Sequence, residues 1–360
     1  MHQHSTNLAP DSAKIAVERA FRVPVLGGVL VLLLLLLIGL GGALYGAADI
    51  PLKSVLIEFL RPLSWLNLDS GLSETQSTII WQWRLPRVAL AVLVGASLSV
   101  AGASYQGVFR NPLADPFLLG AAAGAGLGAT LAITSGVERV IWNIGTVPLA
   151  AFVGSLTGVF LSTMLSRAAG RSTASLLLAG IATASFLTAW QTYLLQQNMD
   201  TIREVYSWLM GNLSTAGWGE VNLILPYFVV CFIIAMAHRK ELDLLRLSDD
   251  EAISLGGHPK RTRIILILAA SLLTAIAVSV SGLIAFVGLV VPHVIRLAVG
   301  SSYRVIIPLS ALAGGAFLCM ADIFARNVIS PGELPIGVVT AFVGAPFFAL
   351  LLRLSKSAVQ

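Results

Sequence analysis

The chain has 360 residues, 56% of them hydrophobic and 11% charged, with a mean hydropathy of +0.85, whereas soluble domains are near a quarter charged. This excludes a water-soluble domain of ordinary size: a transmembrane span takes about 20 mainly apolar residues, so the chain has room for roughly ten spans with short loops. The formal net charge of +5 is scattered over loops, with no basic face and no aromatic-basic interleaving, which argues against nucleic acid. Cys231 and Cys319 sit inside apolar runs, where a free cysteine behaves as a small hydrophobe.

Residues 1–22 read as a polar, irregular cytoplasmic tail. His2 and His4 lie in it, but a mobile terminus supplies no second layer of groups to hold a metal ligand in place. Lys14, Arg19 and Arg22 before the run Val25 to Leu40 imitate a signal peptide. The run exceeds the ~7–15 residues of a signal core and no small-x-small cleavage site follows, so it reads as the first transmembrane helix. Apolar runs then recur at about 23–46, 86–108, 117–134, 146–165, 174–196, 221–237, 264–282, 284–299, 305–325 and 335–353. The expectation is an all-α integral membrane protein of ten transmembrane helices, one domain over 23–355, with a short tail at 356–360.

With the N-terminus inside, only Lys53, Arg61, Arg84, Arg87, Arg139, Arg203 and Arg326 of the 23 lysines and arginines fall outside. That imbalance places both termini in the cytoplasm. Arg84, Arg87 and Arg326 are exceptions at the outer helix ends. The stretch Arg84 to Gly128 holds two spans and the polar break from Arg110 to Pro116, which is either a connector or a working part.

No Walker A sequence is present; the run from Gly120 to Gly128 lacks the Lys-Ser/Thr of a phosphate site and reads as a surface for close helix approach. Midplane carboxylates, expected of ion-coupled transporters and intramembrane enzymes, are missing: Asp115 falls in an inner turn, and Asp322 lies one helical turn before Arg326, an i,i+4 ion pair. His293 reads as a hydrogen-bonded structural residue. Between Gln196 and Gly219, Ile202 to Met210 has helical character. Trp208 and Trp218 there are either interfacial anchors or part of a re-entrant helix at the outer mouth.

The longest inner loop, residues 238–263, spaces Leu242, Leu245, Ile253 and Leu255 among charges. Ser248 and Glu251 form a capping box, and Gly256, Gly257 and Pro259 stop the second of two short amphipathic helices. An apolar stripe outside the bilayer calls for a partner. Two echoes five spans apart, Gly102/Pro112 with Gly282/Pro292 and Gly180–Ala184 with Gly337–Ala341, point to an inverted-topology repeat with a pathway between the halves.

RLPR at 84–87, AGASYQGVFRNPLADPFLLG at 101–120, STASLLLAG at 172–180, WLMG at 208–211, GLIAFVGLVVPHVIRL at 282–297, ADIFAR at 321–326 and ELPIGVVTAFVGAPFF at 333–348 together resemble the FecCD family over about residues 25–355. These are membrane subunits of type II ATP-binding cassette importers for ferric siderophores, heme and vitamin B12. The resemblance implies a homodimer or pseudo-dimer of ten-helix subunits around a channel, with two cytoplasmic ATPase subunits and a periplasmic substrate-binding protein. It implies no cofactor, no enzymatic activity of the chain itself, and a site in the bacterial inner membrane. Arg84, Arg87 and Arg326 match positions that pair with glutamates of the binding protein. Asn111, Pro112 and Leu113 match the cytoplasmic gate, with Ser172, Thr173 and Ala174, where Ala174 stands in place of a serine. Asp249, Asp250, Glu251, Ala252, Ile253, Ser254, Leu255 and Gly256 match the helix that couples to the ATPases. The rival readings are an ion-coupled secondary transporter, an intramembrane enzyme and a scaffold.

Overall fold

A computed structural model describes residues 10–45, 50–60, 69–137, 140–141, 144–170, 173–330 and 332–357. α1 (Pro10–Leu44) is one 35-residue helix. Proline suits a first helical position, and the Ala, Lys, Glu and Arg that follow are strong helix formers. Residues 10–22, expected to be irregular, are therefore its opening turns. The short helix α2 (Leu52–Leu60) is fixed by Glu58, whose buried carboxylate accepts from Ser70 Oγ (2.6 Å), Ser77 Oγ (2.7 Å) and Trp81 Nε1 (3.1 Å).

α3 (Glu74–Thr78), capped by a Ser73–Gln76 box, runs through a π-helical turn at Ile79–Arg84 straight into α4 (Leu85–Val108). α4 is the axis of the bundle. Every residue from Val94 to Val108 is buried, which a helix achieves only by presenting small residues on all sides. A Cβ on Gly95 would strike the Gly314 carbonyl, and one on Gly102 the Gly288 carbonyl. Tyr105 is hydrogen-bonded to Ser271 at 2.7 Å.

α5 (Ala121–Thr134), α6 (Thr146–Ala168) and α7 (Thr173–Gln197) follow; a two-residue antiparallel pairing, Val140–Ile141 with Ile144–Gly145, precedes α6. Gly124 lies against Gly154 and Gly128 against Ala150 so closely that a Cβ would overlap the facing carbonyl. The glycine run thus serves close helix approach, as its composition predicts. Next come α8 (Ile202–Leu209), α9 (Trp218–Ala237), α10 (Arg239–Leu244), α11 (Asp249–Ser254), α12 (Pro259–Ser281), α13 (Val287–Val299), α14 (Tyr303–Asn327) and α15 (Ile336–Ser357). α1, α4, α5, α6, α7, α9, α12, α13, α14 and α15 match the ten apolar runs one for one. Among the described residues seven spans are long and apolar enough to cross a membrane, and α5, α13 and α15 are shorter apolar helices.

The inverted repeat is visible, though not where both echoes place it. Gly180 of α7 packs on the Leu118 carbonyl before α5, and Gly337 of α15 packs near the Leu283 carbonyl before α13. α5 and α13 also each start from a left-handed residue, Gly120 (φ 76°) and Phe286 (φ 70°). The Gly102/Gly282 echo is not equivalent: Gly102 lies inside α4 whereas Gly282 caps the end of α12, and Pro112 is in a turn whereas Pro292 is inside a helix.

Candidate functional site: two ion networks at opposite ends of the bundle

At one end of the bundle, the inner one in the topology read from the sequence, α4 stops at Val108 and the chain reverses through Phe109 to Asp115. The turn is built by local bonds. The Asn111 amide donates to the Gln106 carbonyl at 3.1 Å, the Asn111 side chain accepts from the Leu113 amide at 2.9 Å, and Asp115 Oδ1 accepts from the Phe117 amide at 2.7 Å. Such self-bonding is what Asn and Asp bring to turns. Pro112 and Leu113 remain exposed.

Arg110 adopts φ 51°, uncommon for a non-glycine residue. Its guanidinium donates through Nε to the Leu245 carbonyl and forms an ion pair with Asp249 Oδ1 at 2.7 Å. Arg263, near the start of α12, grips both oxygens of the same carboxylate, at 2.8 and 2.6 Å. Asp249 is the first residue of α11, and its carboxyl is held down to about 2, first by hydrogen bonding to Arg263 and then by Arg110.

The apolar residues of this loop divide. Leu242, Leu245 and Ala252 are buried, while Ile253 (58%) and Leu255 (63%) stand exposed beside Gly256, at φ 81°. Asp250, Glu251 and Ser254 are exposed too, and the Ser248–Glu251 capping box is present. α10 is anchored separately: Asp243 accepts from the Tyr303 amide (2.9 Å) and Ser302 Oγ (3.1 Å) at the head of α14.

The outer end holds a second network. Arg87 of α4 donates to Asp322 of α14 (2.8 Å) and to Glu333 (2.9 Å), and Arg326 pairs with Asp322 at 3.1 Å, the expected i,i+4 contact. The Asp322 side chain is 1% exposed. Arg326 also donates to the carbonyls of Tyr45 and Gly42. Arg84, placed by sequence at a helix end on the outer face, is instead 5% exposed and donates to the carbonyls of Ala43 and Leu44 at 3.0 and 2.6 Å. The cause is the extra helix before it: α3 and the π turn move the helix start back to Glu74. Arg84 then sits against the C-terminus of α1, whose last carbonyls lack intrahelical donors.

α8 folds back between spans. The Leu209 side chain reaches Gly126 of α5, Trp208 packs with Ala125, Ala129, Ala151 and Val278, the Asn212 amide donates to the Ser281 carbonyl at 2.8 Å, and the Gly337 amide to the Met210 carbonyl at 3.0 Å. Of the two readings of this segment, Trp208 follows the re-entrant one. Trp218 donates Nε1 to the Trp81 carbonyl at 2.9 Å. Two cavities open at opposite ends of α12. The outer, about 640 Å³, is lined by Asp200, Arg203, Trp208 and Gly282, and the inner, about 540 Å³, by Phe109, Arg167, Arg263 and Leu268.

The profile of the FecCD transport family matches residues 30–354. The chain belongs to the FecCD transport family. A cobalamin import system permease protein BtuC of Halobacterium salinarum is 42% identical over 85% of this chain and 80% of its own length. The Fe(3+)-citrate import system permease protein YfmE of Bacillus subtilis is 36% identical over 91% and 93%, and the hemin transport system permease protein HmuU of Yersinia pestis 35% over 89% and 93%. A solved inward-facing metal-chelate type ABC transporter superposes with a TM-score of 0.78 at 28% identity, covering 90% of this chain and 97% of that one.

In this FecCD chain the predicted residues fall into separate places. Asn111, Pro112 and Leu113 form the turn beside the inner ion network. Ser172 lies outside the described residues; Thr173 opens α7 and Ala174 is exposed, with no hydrogen bond to the Asn111 turn among the described residues. His293, expected to be hydrogen-bonded, instead leaves Nδ1 without a partner among the described residues and rests against Phe347 and Phe348. Sequence reasoning missed Glu333 and the roles of Arg110 and Arg263; two of these ion pairs join distant segments, 246 residues apart for Arg87 and Glu333 and 139 for Arg110 and Asp249, while Arg263 and Asp249 lie 14 apart on two different helices.

Proposed function

We propose that the chain is the transmembrane permease subunit of an ATP-binding cassette importer that moves an iron chelate, ferric siderophore or heme, from periplasm to cytoplasm by alternating access. Two copies would enclose the channel. The observation that carries the reading is the exposed apolar tip of α11, Ile253 and Leu255, on a loop ionically tied to the gate turn. An apolar tip in water needs a partner surface, and the ATPase supplies one. Among the described residues the buried charges Glu58, Arg84 and Asp322 lie in a short helix or near helix ends, which leaves the driving force to that partner. The two cavities at the ends of α12 are then the alternating vestibules. Vitamin B12 is the second reading for the cargo, favoured by the 42% identity to a cobalamin permease.

Both termini lie on the cytoplasmic side of the inner membrane in this reading, and the periplasmic binding protein docks at the outer end. There Arg87 and Arg326 border the rim occupied by Glu333, while Arg84 acts by fixing α1 to α4. Asn111 to Leu113 together with Ser172, Thr173 and Ala174 close the channel from the two subunits. Reconstitution with the ATPase and binding protein tests this: uptake of chelate requires ATP hydrolysis, and uptake driven by a proton or sodium gradient without the ATPase would sink it.

A further inference from the structure

Two ends of one short linker meet a single guanidinium. Arg110 binds the carbonyl of Leu245, just after α10, and the carboxylate of Asp249, which begins α11. Arg110 itself immediately precedes Asn111, so the residue that grips the linker belongs to the gate turn's own backbone, held at φ 51°. Arg263 fixes the same carboxylate through both its oxygens, leaving Asp249 little rotational freedom. The first turns of α12, the end of α4 and the head of α11 thus converge on one side chain.

Resting on the importer reading, we propose that Asp249 is a positioning residue that transmits the displacement of α11 to the gate turn through Arg110. A simpler role would be acidic stabilisation of the α11 N-terminus. Asp250 and Glu251 already supply that charge, and neither forms an ion pair among the described residues; Asp249 alone of the three faces the arginines. Apart from Asp249, α11 is seated by the buried Ala252, its capping box lying within the helix itself, and the Arg110 contact is the direct ionic route from it to the gate. Both partners are partly exposed, at 37% and 40%, so the bond can strain and re-form during a cycle.

The test uses the complete complex in lipid nanodiscs and needs no transported substrate. Leu113→Cys, exposed at the turn while native Cys231 and Cys319 are buried, is labelled with a membrane-impermeant maleimide in the nucleotide-free and vanadate-trapped states. In the parent the labelling rate differs between states. Asp249→Asn is expected to shrink that ratio about fivefold, and Arg110→Gln to do the same while ATP hydrolysis stays within about twofold, the size of an ordinary surface change. Arg110→Gln, away from the ATPase-facing tip, reports the same link should Asp249→Asn disturb assembly. The double variant should shrink the ratio no further than Asp249→Asn alone, because the Arg110–Asp249 contact is already lost in that variant. An unchanged ratio in the single variants, or additive effects in the double, overturns the proposal. A parent with no nucleotide-dependent labelling overturns the importer reading instead.

Discussion

The outer and inner ends of this molecule use the same motif, an aspartate shared between two arginines, in opposite surroundings. At the outer end Asp322 lies between Arg87 and Arg326 with 1% of its side chain exposed; at the inner end Asp249 lies between Arg110 and Arg263 with 40% exposed. A buried carboxylate stripped of its partners leaves uncompensated charge in low dielectric, costing about 3–5 kcal/mol, whereas an exposed pair is worth about 0–1 kcal/mol. The outer network is therefore a staple, and the inner one a joint that breaks and re-forms at little cost.

The largest expected effect breaks the staple. Arg87→Ala leaves Asp322 with Arg326 alone and removes the ion pair of Glu333 among the described residues, and should destabilise the bundle by about 3 kcal/mol, the low end of that range because one cation stays, read as a lowered Tm in detergent. A loss as small as that of Arg110→Ala would erase the distinction. A second contrast lies within the inner loop: Leu242→Ala removes a buried side chain and should cost about 2–5 kcal/mol. Leu255→Ala, at the exposed tip, should stay within about 0.5 kcal/mol while weakening ATPase binding, measured by co-purification and by stimulated hydrolysis.

The spans were legible because lipid imposes a simple rule, long apolar runs between polar breaks, and all ten runs became helices. The outer staple was half legible. Asp322 and Arg326 are neighbours on one helix, but Arg87 and Glu333 reach them only through the crossing of α4 with α14, which depends on Gly95 meeting Gly314. Arg84 was misplaced because residues 74–84 carry too many polar groups for an apolar run, yet continue the helix by propensity, a capping box and a π turn. At the inner loop the four apolar positions were visible as a stripe. Which pair turns inward was decided by the packing of α10 beneath the bundle.

Smaller effects sharpen the comparison at its edges. Glu333 is 39% exposed and holds the Arg87 guanidinium from the solvent side. Glu333→Gln should change stability by less than about 1 kcal/mol and, if acidic partners dock at this rim, raise the affinity of the binding protein at low salt, measured by surface plasmon resonance.

The smallest effect expected is that of pH on the joint. The Asp249 carboxyl lies at about 2 in the fold against 3.8 unperturbed, held down by Arg263 and Arg110. A depressed carboxyl contributes stability that is present above the unfolded value and is lost as pH falls through the folded one. Between pH 5 and 8 the joint therefore keeps its charge, and hydrogen exchange of the α11 amides, corrected for intrinsic rates, should be unchanged. Salt acts differently on the same bonds. Raising it from about 0.15 to 1 M cuts the screening length from roughly 8 to 3 Å, so α11 should lose protection while α14 around Asp322, shielded from solvent ions, does not. Loss of α11 protection between pH 8 and 5 would mean that a group other than Asp249 holds the joint.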